Sequence, residues 1–124
     1  MIDFNNKPTL KFKSASTEEA EYVVSELLID GEEIIACFTS MREKVIFTSK
    51  RIITLFKSGL TGNKADYTIL PYRSITVFSV ETHGGFDSDA ELDIAIKDLG
   101  TIRFELKGDV DIKHLSKLIA EHIL

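Results

Sequence analysis

Between Glu32 and Leu106 apolar side chains recur at every second position, while on both sides of that stretch they recur at helical spacing. A period-two stretch this long must be laid out as several strands, because single strands rarely exceed about ten residues. Turn residues divide it into seven, expected at 33–39, 44–48, 51–57, 65–70, 75–82, 90–97 and 101–106. The alternation is clearest in the last two. Leu92, Ile94 and Ile96 share one side and Asp93, Ala95 and Lys97 the other. Ile102, Phe104 and Leu106 alternate in the same way with Arg103, Glu105 and Lys107, so each strand buries one face and wets the other. Asp98-Leu99-Gly100 reads as the hairpin link between them.

The flanks read as helices. Ser16 with Glu19 makes a capping box, and Ala20, Val23, Val24, Leu27 and Leu28 fall on one stripe, which predicts a helix ending at Asp30-Gly31. Thr17 serves equally as its cap. A second helix is expected from an Asp109 cap to Leu124, with Ile112, Leu115, Leu118, Ile119 and Ile123 aligned, and its apolar face must cover the open end of the bent sheet. Residues 1–15 hold Asn5, Asn6 and Pro8 without sustained periodicity and read as an irregular arm ahead of one domain over 16–124. The expected class is mainly β: seven antiparallel strands capped by a C-terminal helix, plus an N-terminal helix.

The chain has 124 residues, 44% of them hydrophobic, enough to bury about two thirds of its unfolded surface without a disulfide or structural metal. Its net charge of -5 argues against a broad electrostatic hold on nucleic acid or anionic lipid. The single Cys37, within the run Ile34-Ile35-Ala36-Cys37-Phe38, is expected to pack as a small hydrophobe rather than act as a reactive thiol. No apolar run approaches the ~18 residues of a membrane span, and the opening residues lack the apolar core of a secretion signal, so a cytoplasmic protein is expected.

Several local strings carry a resemblance. They are Leu28-Ile-Asp-Gly-Glu-Glu-Ile-Ile35, Val45-Ile-Phe-Thr-Ser-Lys-Arg-Ile52, Gly59-Leu-Thr-Gly-Asn-Lys64, Leu70-Pro-Tyr-Arg-Ser-Ile75 leading to Phe78-Ser-Val-Glu81, and the acidic Phe86-Asp-Ser-Asp-Ala-Glu-Leu92. In these strings and in the order of elements the chain resembles the bacterial pleckstrin-homology (PH) domains over nearly its whole length. The resemblance implies a PH-like barrel or sandwich of seven strands capped by the C-terminal helix. It further implies ring-like homo-oligomers, no enzymatic activity and no cofactor.

Other patterns fail on context. Gly59-Leu-Thr-Gly62-Asn-Lys64 lacks the spacing and following helix of a phosphate loop, and the GXXG clamp of RNA-binding domains joins helices, so it reads as a strand connection. Asp87, Asp89 and Glu91 could offer alternate oxygens to a hard cation, but the remaining calcium-loop positions are missing and solvated charges beside a strand fit better. His83, His114 and His122 show no metal-ligand spacing, and neither a nucleophile elbow nor a zinc-protease motif is present.

Two sets of residues remain as candidates. Related PH domains bind phosphorylated headgroups through cations near their first hairpin loop, which points to Arg42 and Lys44 here, with Arg51, Lys57 and Lys64 expected on the same open end. The second set is the edge of the strand at 75–82, where Ile75 and Val77 occupy one phase and Phe78 and Val80 the other, leaving an apolar outer face as an interface unless the N-terminal helix covers it. The function expected is a non-catalytic module acting through homo-oligomeric assembly and protein binding. Its alternatives are anionic lipid or phosphate binding through those loops, and a peptide held in the groove beside the C-terminal helix.

Overall fold

The computed structural model describes residues 1–85 and 88–124. Eight strands form one curled sheet: β1 (Thr9–Ala15), β2 (Ile34–Thr39), β3 (Glu43–Thr48), β4 (Arg51–Ser58), β5 (Lys64–Pro71), β6 (Ile75–Thr82), β7 (Ala90–Ile96) and β8 (Gly100–Lys107). Their spatial order is β5-β4-β3-β2-β1-β8-β7-β6, which leaves β5 and β6 as the two edges of a half-barrel. Helix α1 (Thr17–Val24) follows β1, and α2 (Ile112–Ile123) follows β8.

The main core fills the hollow of the curl, with Phe47 and Phe104 at its centre and α2 inserting Ile112, Leu115, Leu118 and Ile119 to close it. Phe47 meets Phe104 edge-on at 6.3 Å between centroids, and Phe12 stacks on Phe104 at 6.5 Å. On the convex side a smaller core forms where Ala20 and Val24 of α1 cover Cys37, Ile46 and Ile53. Strands β2, β3 and β4 are therefore buried on both faces. That is why their sequences run as near-continuous apolar stretches while β7 and β8 alternate cleanly.

The stretch expected to be an arm departs most from expectation. Thr9–Ala15 is a strand set between β2 and β8, pairing in parallel with Arg103 to Lys107 of β8 and antiparallel with Cys37 to Thr39 of β2. The sheet therefore has eight strands rather than seven, and one pairing is parallel. Ahead of β1, Ile2 and Phe4 are buried in the main core. The Phe4 carbonyl lies 2.8 Å from where a Cβ on Gly100 would stand, at φ +135, so that turn position suits glycine alone.

Both helix boundaries also shift. Ser16 caps α1 by accepting from the Glu19 N–H at 3.3 Å, but the helix stops at Val24 instead of running to Leu28. The Leu27 carbonyl turns out to accept from Arg51 Nη2 at 2.7 Å, and the Ile29 N–H donates to Glu32 at 3.1 Å; these partners lead the chain off the helical path. The cap of α2 is Asp111, which accepts from the His114 N–H at 3.1 Å, in place of Asp109. Residues 109–111 are needed to carry the chain from β8 to the mouth of the curl, and Val110 among them is buried.

Candidate interaction surface

Strand β6 pairs with β7 and, among the described residues, has a free edge on its other side. Its mixed apolar pattern has a local cause: a register irregularity between Ile75 and Val77 changes the phase of the strand. Ile75 is buried, and Phe78 and Val80 pack partly against the main core. Val77 stays 64% exposed. Beyond it Ser79 is exposed, as is Glu81 near the strand end. Helix α1 does not cover this edge, because it packs on β2 across the sheet. The other edge, β5, exposes Tyr67 and Ile69, and an open groove lined by Tyr22, Leu27, Leu55 and Tyr67 separates it from α1.

The five cations expected on one end are divided by the hairpin they sit on. Arg42, in the β2–β3 turn, donates to the Gly59 carbonyl at 2.8 Å, and Lys57 and Lys64 are exposed at that same end of β4 and β5. Lys44 pairs with Glu19 of α1 at 2.9 Å and donates to Thr39 Oγ1 at 3.0 Å. Arg51 lies at the opposite end, across from Pro71 in the β4–β5 ladder, because β4 starts there and carries Lys57 six residues on to the other end. Its Nε and Nη2 each donate to Glu32 at 2.9 Å. Arg51 is thus committed to an ion pair with the buried Glu32, nineteen residues away in the chain and with no local pattern to announce it.

Glu32 has a fully buried side chain, and the Thr48 hydroxyl donates to it at 2.5 Å. Burial pushes its carboxyl up, but hydrogen bonds from Arg51 and Thr48, then the Ile29 N–H and the Arg51 charge, outweigh that and hold it below its ordinary value. The network continues inward through Tyr72, whose hydroxyl donates to the Thr48 carbonyl at 2.7 Å. Burial and then the Glu32 charge push the Tyr72 phenol well above its usual range. The His122 ring of α2 packs against the Tyr72 ring at 4.9 Å between centroids, tilted by 45°, while His114 is exposed on the first turn of the same helix.

The convex side of β6, β7 and β8 carries a charged network centred on Arg103. Its guanidinium reaches Asp93 at 3.0 Å, Glu81 at 3.3 Å and also Glu91, which His83 meets at 3.4 Å. Glu81, His83 and Glu91 bring donor atoms within 4.8 Å of one another, the one such group among the described residues with metal-ligating side chains. Arg103 already contacts both of these carboxylates, so the arrangement works as an ion-pair network. A hydrogen bond with Glu81 is the main influence holding the Glu91 carboxyl below its ordinary value; desolvation opposes it, and Arg103 and His83 add to it. The third acid of the expected cation group, Asp89, accepts from the Gly108 N–H at 2.9 Å, and Asp87 lies outside the described residues.

Sequence reasoning missed a second convex feature because it needs β1. Lys11 and Lys13 point outward from β1, and Lys13 stands directly opposite Lys107 of β8 on one side and Thr39 of β2 on the other. With the exposed Met41 they border a shallow groove over Phe12, Thr39 and Ser40. The alternation Leu10-Lys11-Phe12-Lys13 was the signal available for it.

No helix among the described residues is long and apolar enough to cross a membrane. A family profile described as "Bacterial PH domain" matches residues 3–123. The uncharacterized protein YjqA of Bacillus subtilis (strain 168) is 38% identical over 107 residues, covering 85% of this chain and 86% of that protein. Two solved structures are similar. The DUF1696-family protein with a pleckstrin-homology domain from Shewanella loihica PV-4 has 34% identity and a TM-score of 0.73, with 93% of this chain and 99% of that one covered. The pleckstrin homology domain from Shewanella amazonensis SB2B has 37% identity and a TM-score of 0.59, with 89% and 90% covered. With a closed core under α2, two free sheet edges and these relatives, the chain belongs to the bacterial PH domain family.

Proposed function

We propose that this PH-like domain is a non-catalytic interaction module that works as a homo-oligomer in the cytoplasm, with the free β6 edge as one of its contact surfaces. The observation behind this reading is the edge itself: Val77 is 64% exposed on a strand whose outer side has no ladder partner among the described residues, and α1 is spent on the opposite half of the sheet. An unpaired strand with an apolar outer side chain invites a partner unless charge or a covering element blocks it. A head-to-tail contact repeated around an axis closes into a ring, the assembly that the family resemblance implies. The buried, unpaired Cys37 suits a reducing compartment. Val77→Lys tests the edge. It should stay folded, because the site is exposed, yet lose assembly on size-exclusion chromatography with light scattering; an unchanged mass would remove this edge from the interface.

A second reading rests on a different gap. β1 pairs only with Cys37 to Thr39, so Ile34, Ile35 and Ala36 of β2 have no ladder partner on that side among the described residues. Between this short edge and the start of α2 lies a slot of about 240 Å³ lined by Ala15, Ile35, Cys37, Asp109, His114 and Leu115. A short extended peptide could add a strand there. Headgroup binding has less support, because Glu19 neutralises Lys44 and Glu32 holds Arg51 at the wrong end.

A further inference from the structure

Strand β2 begins without a full set of partners. Its ladder with β1 covers only Cys37 to Thr39, and a register irregularity between Ile34 and Ala36 takes Ile35 out of the ladder with β3 as well. Ile35 therefore has no ladder partner on either side among the described residues, and Ile34, Ile35 and Ala36 stay half-buried while Cys37 and Phe38 beyond them are buried. Bulges often stand beside binding sites, where they end pairing or re-aim a side chain, and backbone groups that no strand takes up are open to a partner from outside. The slot of about 240 Å³ lies beside this stretch, lined by the buried Leu115 and half-buried Ile35 and by two exposed acids, Asp109 and Asp111.

Neither acid has an ion-pair partner among the described residues. Asp111 accepts from the His114 N–H through Oδ1 as the cap of α2, which leaves Oδ2 for a ligand. Lys113, on the same turn, is exposed and does not line the slot. The N-terminus of α2 opposes a cation with about half a positive charge, and two full carboxylates outweigh it. A metal ion is not the match. Asp109, Asp111 and His114 do not bring their donor atoms together as Glu81, His83 and Glu91 do, the one group so spaced among the described residues.

We propose that the slot takes a lysine or arginine side chain from an extended segment of another protein, whose backbone adds to β2 along Ile34, Ile35 and Ala36. The proposal rests on the second reading above and specifies its ligand. The methylene stem of such a residue suits the apolar wall, while its charged head reaches Asp109 and Asp111. An acidic segment meets like charge there, and an apolar one desolvates the carboxylates without pairing them. The volume also fits one side chain, being smaller than the roughly 300–1,000 Å³ of pockets for drug-sized ligands.

The test uses the full chain, in whatever assembly it forms, with short capped peptides of alternating valine and threonine that carry lysine, norleucine or glutamate at the centre. Fluorescence anisotropy reads affinity, and hydrogen exchange of the amides at 34–36 reads strand addition. The lysine peptide should bind about tenfold more tightly than the norleucine peptide, more tightly still than the glutamate peptide, and should slow exchange at those amides. Asp109→Asn with Asp111→Asn should remove the preference for lysine with an unchanged circular dichroism spectrum, because asparagine also caps a helix; a preference that survives both changes overturns the role of these acids. If the lysine and norleucine peptides bind equally and both protect 34–36, the strand-addition reading stands and the basic ligand is wrong. If no peptide protects those amides, both fall. Protection that grows with protein concentration in the absence of peptide would make a second copy the occupant and overturn the proposal.

Discussion

Glu32 ties the loop after α1 to the β3–β4 hairpin. Its carboxylate takes two hydrogen bonds from Arg51 and one each from the Thr48 hydroxyl and the Ile29 N–H. Removing one member of a buried ion pair leaves the other uncompensated, so Glu32→Gln should cost about 3 kcal/mol in denaturant unfolding. Since its carboxyl is held below its ordinary value, the contribution is present above the unfolded-state pKa of about 4.3 and fades as pH falls through the folded value. The gap between wild type and variant should therefore be widest near neutrality and close in acid; a gap independent of pH would show that packing, not charge, carries the cost. Cys37 gives the opposite sign. Burial pushes its thiol up to about 11, so its contribution is intact below the unfolded value and is lost as pH rises toward that figure. At pH 8 a thiol reagent should label native protein far more slowly than denatured protein, and rapid native labelling would contradict the buried placement under α1.

At the level of elements, β1 joins the two halves of the sheet by bridging β2 and β8. Phe12 is its anchor, 4% exposed and stacked on Phe104. Phe12→Ala should cost about 3–5 kcal/mol if this strand belongs to the cooperative core, and far less if it frays independently. The elements legible in sequence were those whose pattern arises locally. β7 and β8 are buried on one face, so their alternation survives intact, and α2 shows its stripe because one side covers the core. β1 escaped notice because its partner in the parallel pairing is roughly ninety residues away and its own alternation is short. The end of α1 escaped because Arg51, from a distant strand, takes the Leu27 carbonyl. The candidate site followed the same rule. The β6 edge was visible in its apolar residues, although the irregularity at Ile75–Val77 that leaves Val77 outside was not. For the basic residues, residue type showed neither that Arg51 sits at the opposite end nor that Glu19 and Glu32 engage Lys44 and Arg51.

At the scale of the whole molecule, the sheet ends in two free edges among the described residues, β5 and β6. The outer side of β6 at Val77 does not serve the core and suits contact with another copy. The most direct test of assembly through these surfaces is the absolute mass of the wild-type protein in solution, measured by size-exclusion chromatography with light scattering from nanomolar to high micromolar concentration in low and high salt. A single multiple of the 13.9 kDa chain, persisting on dilution, is the predicted result. A mass of 13.9 kDa at every concentration in low salt would contradict it.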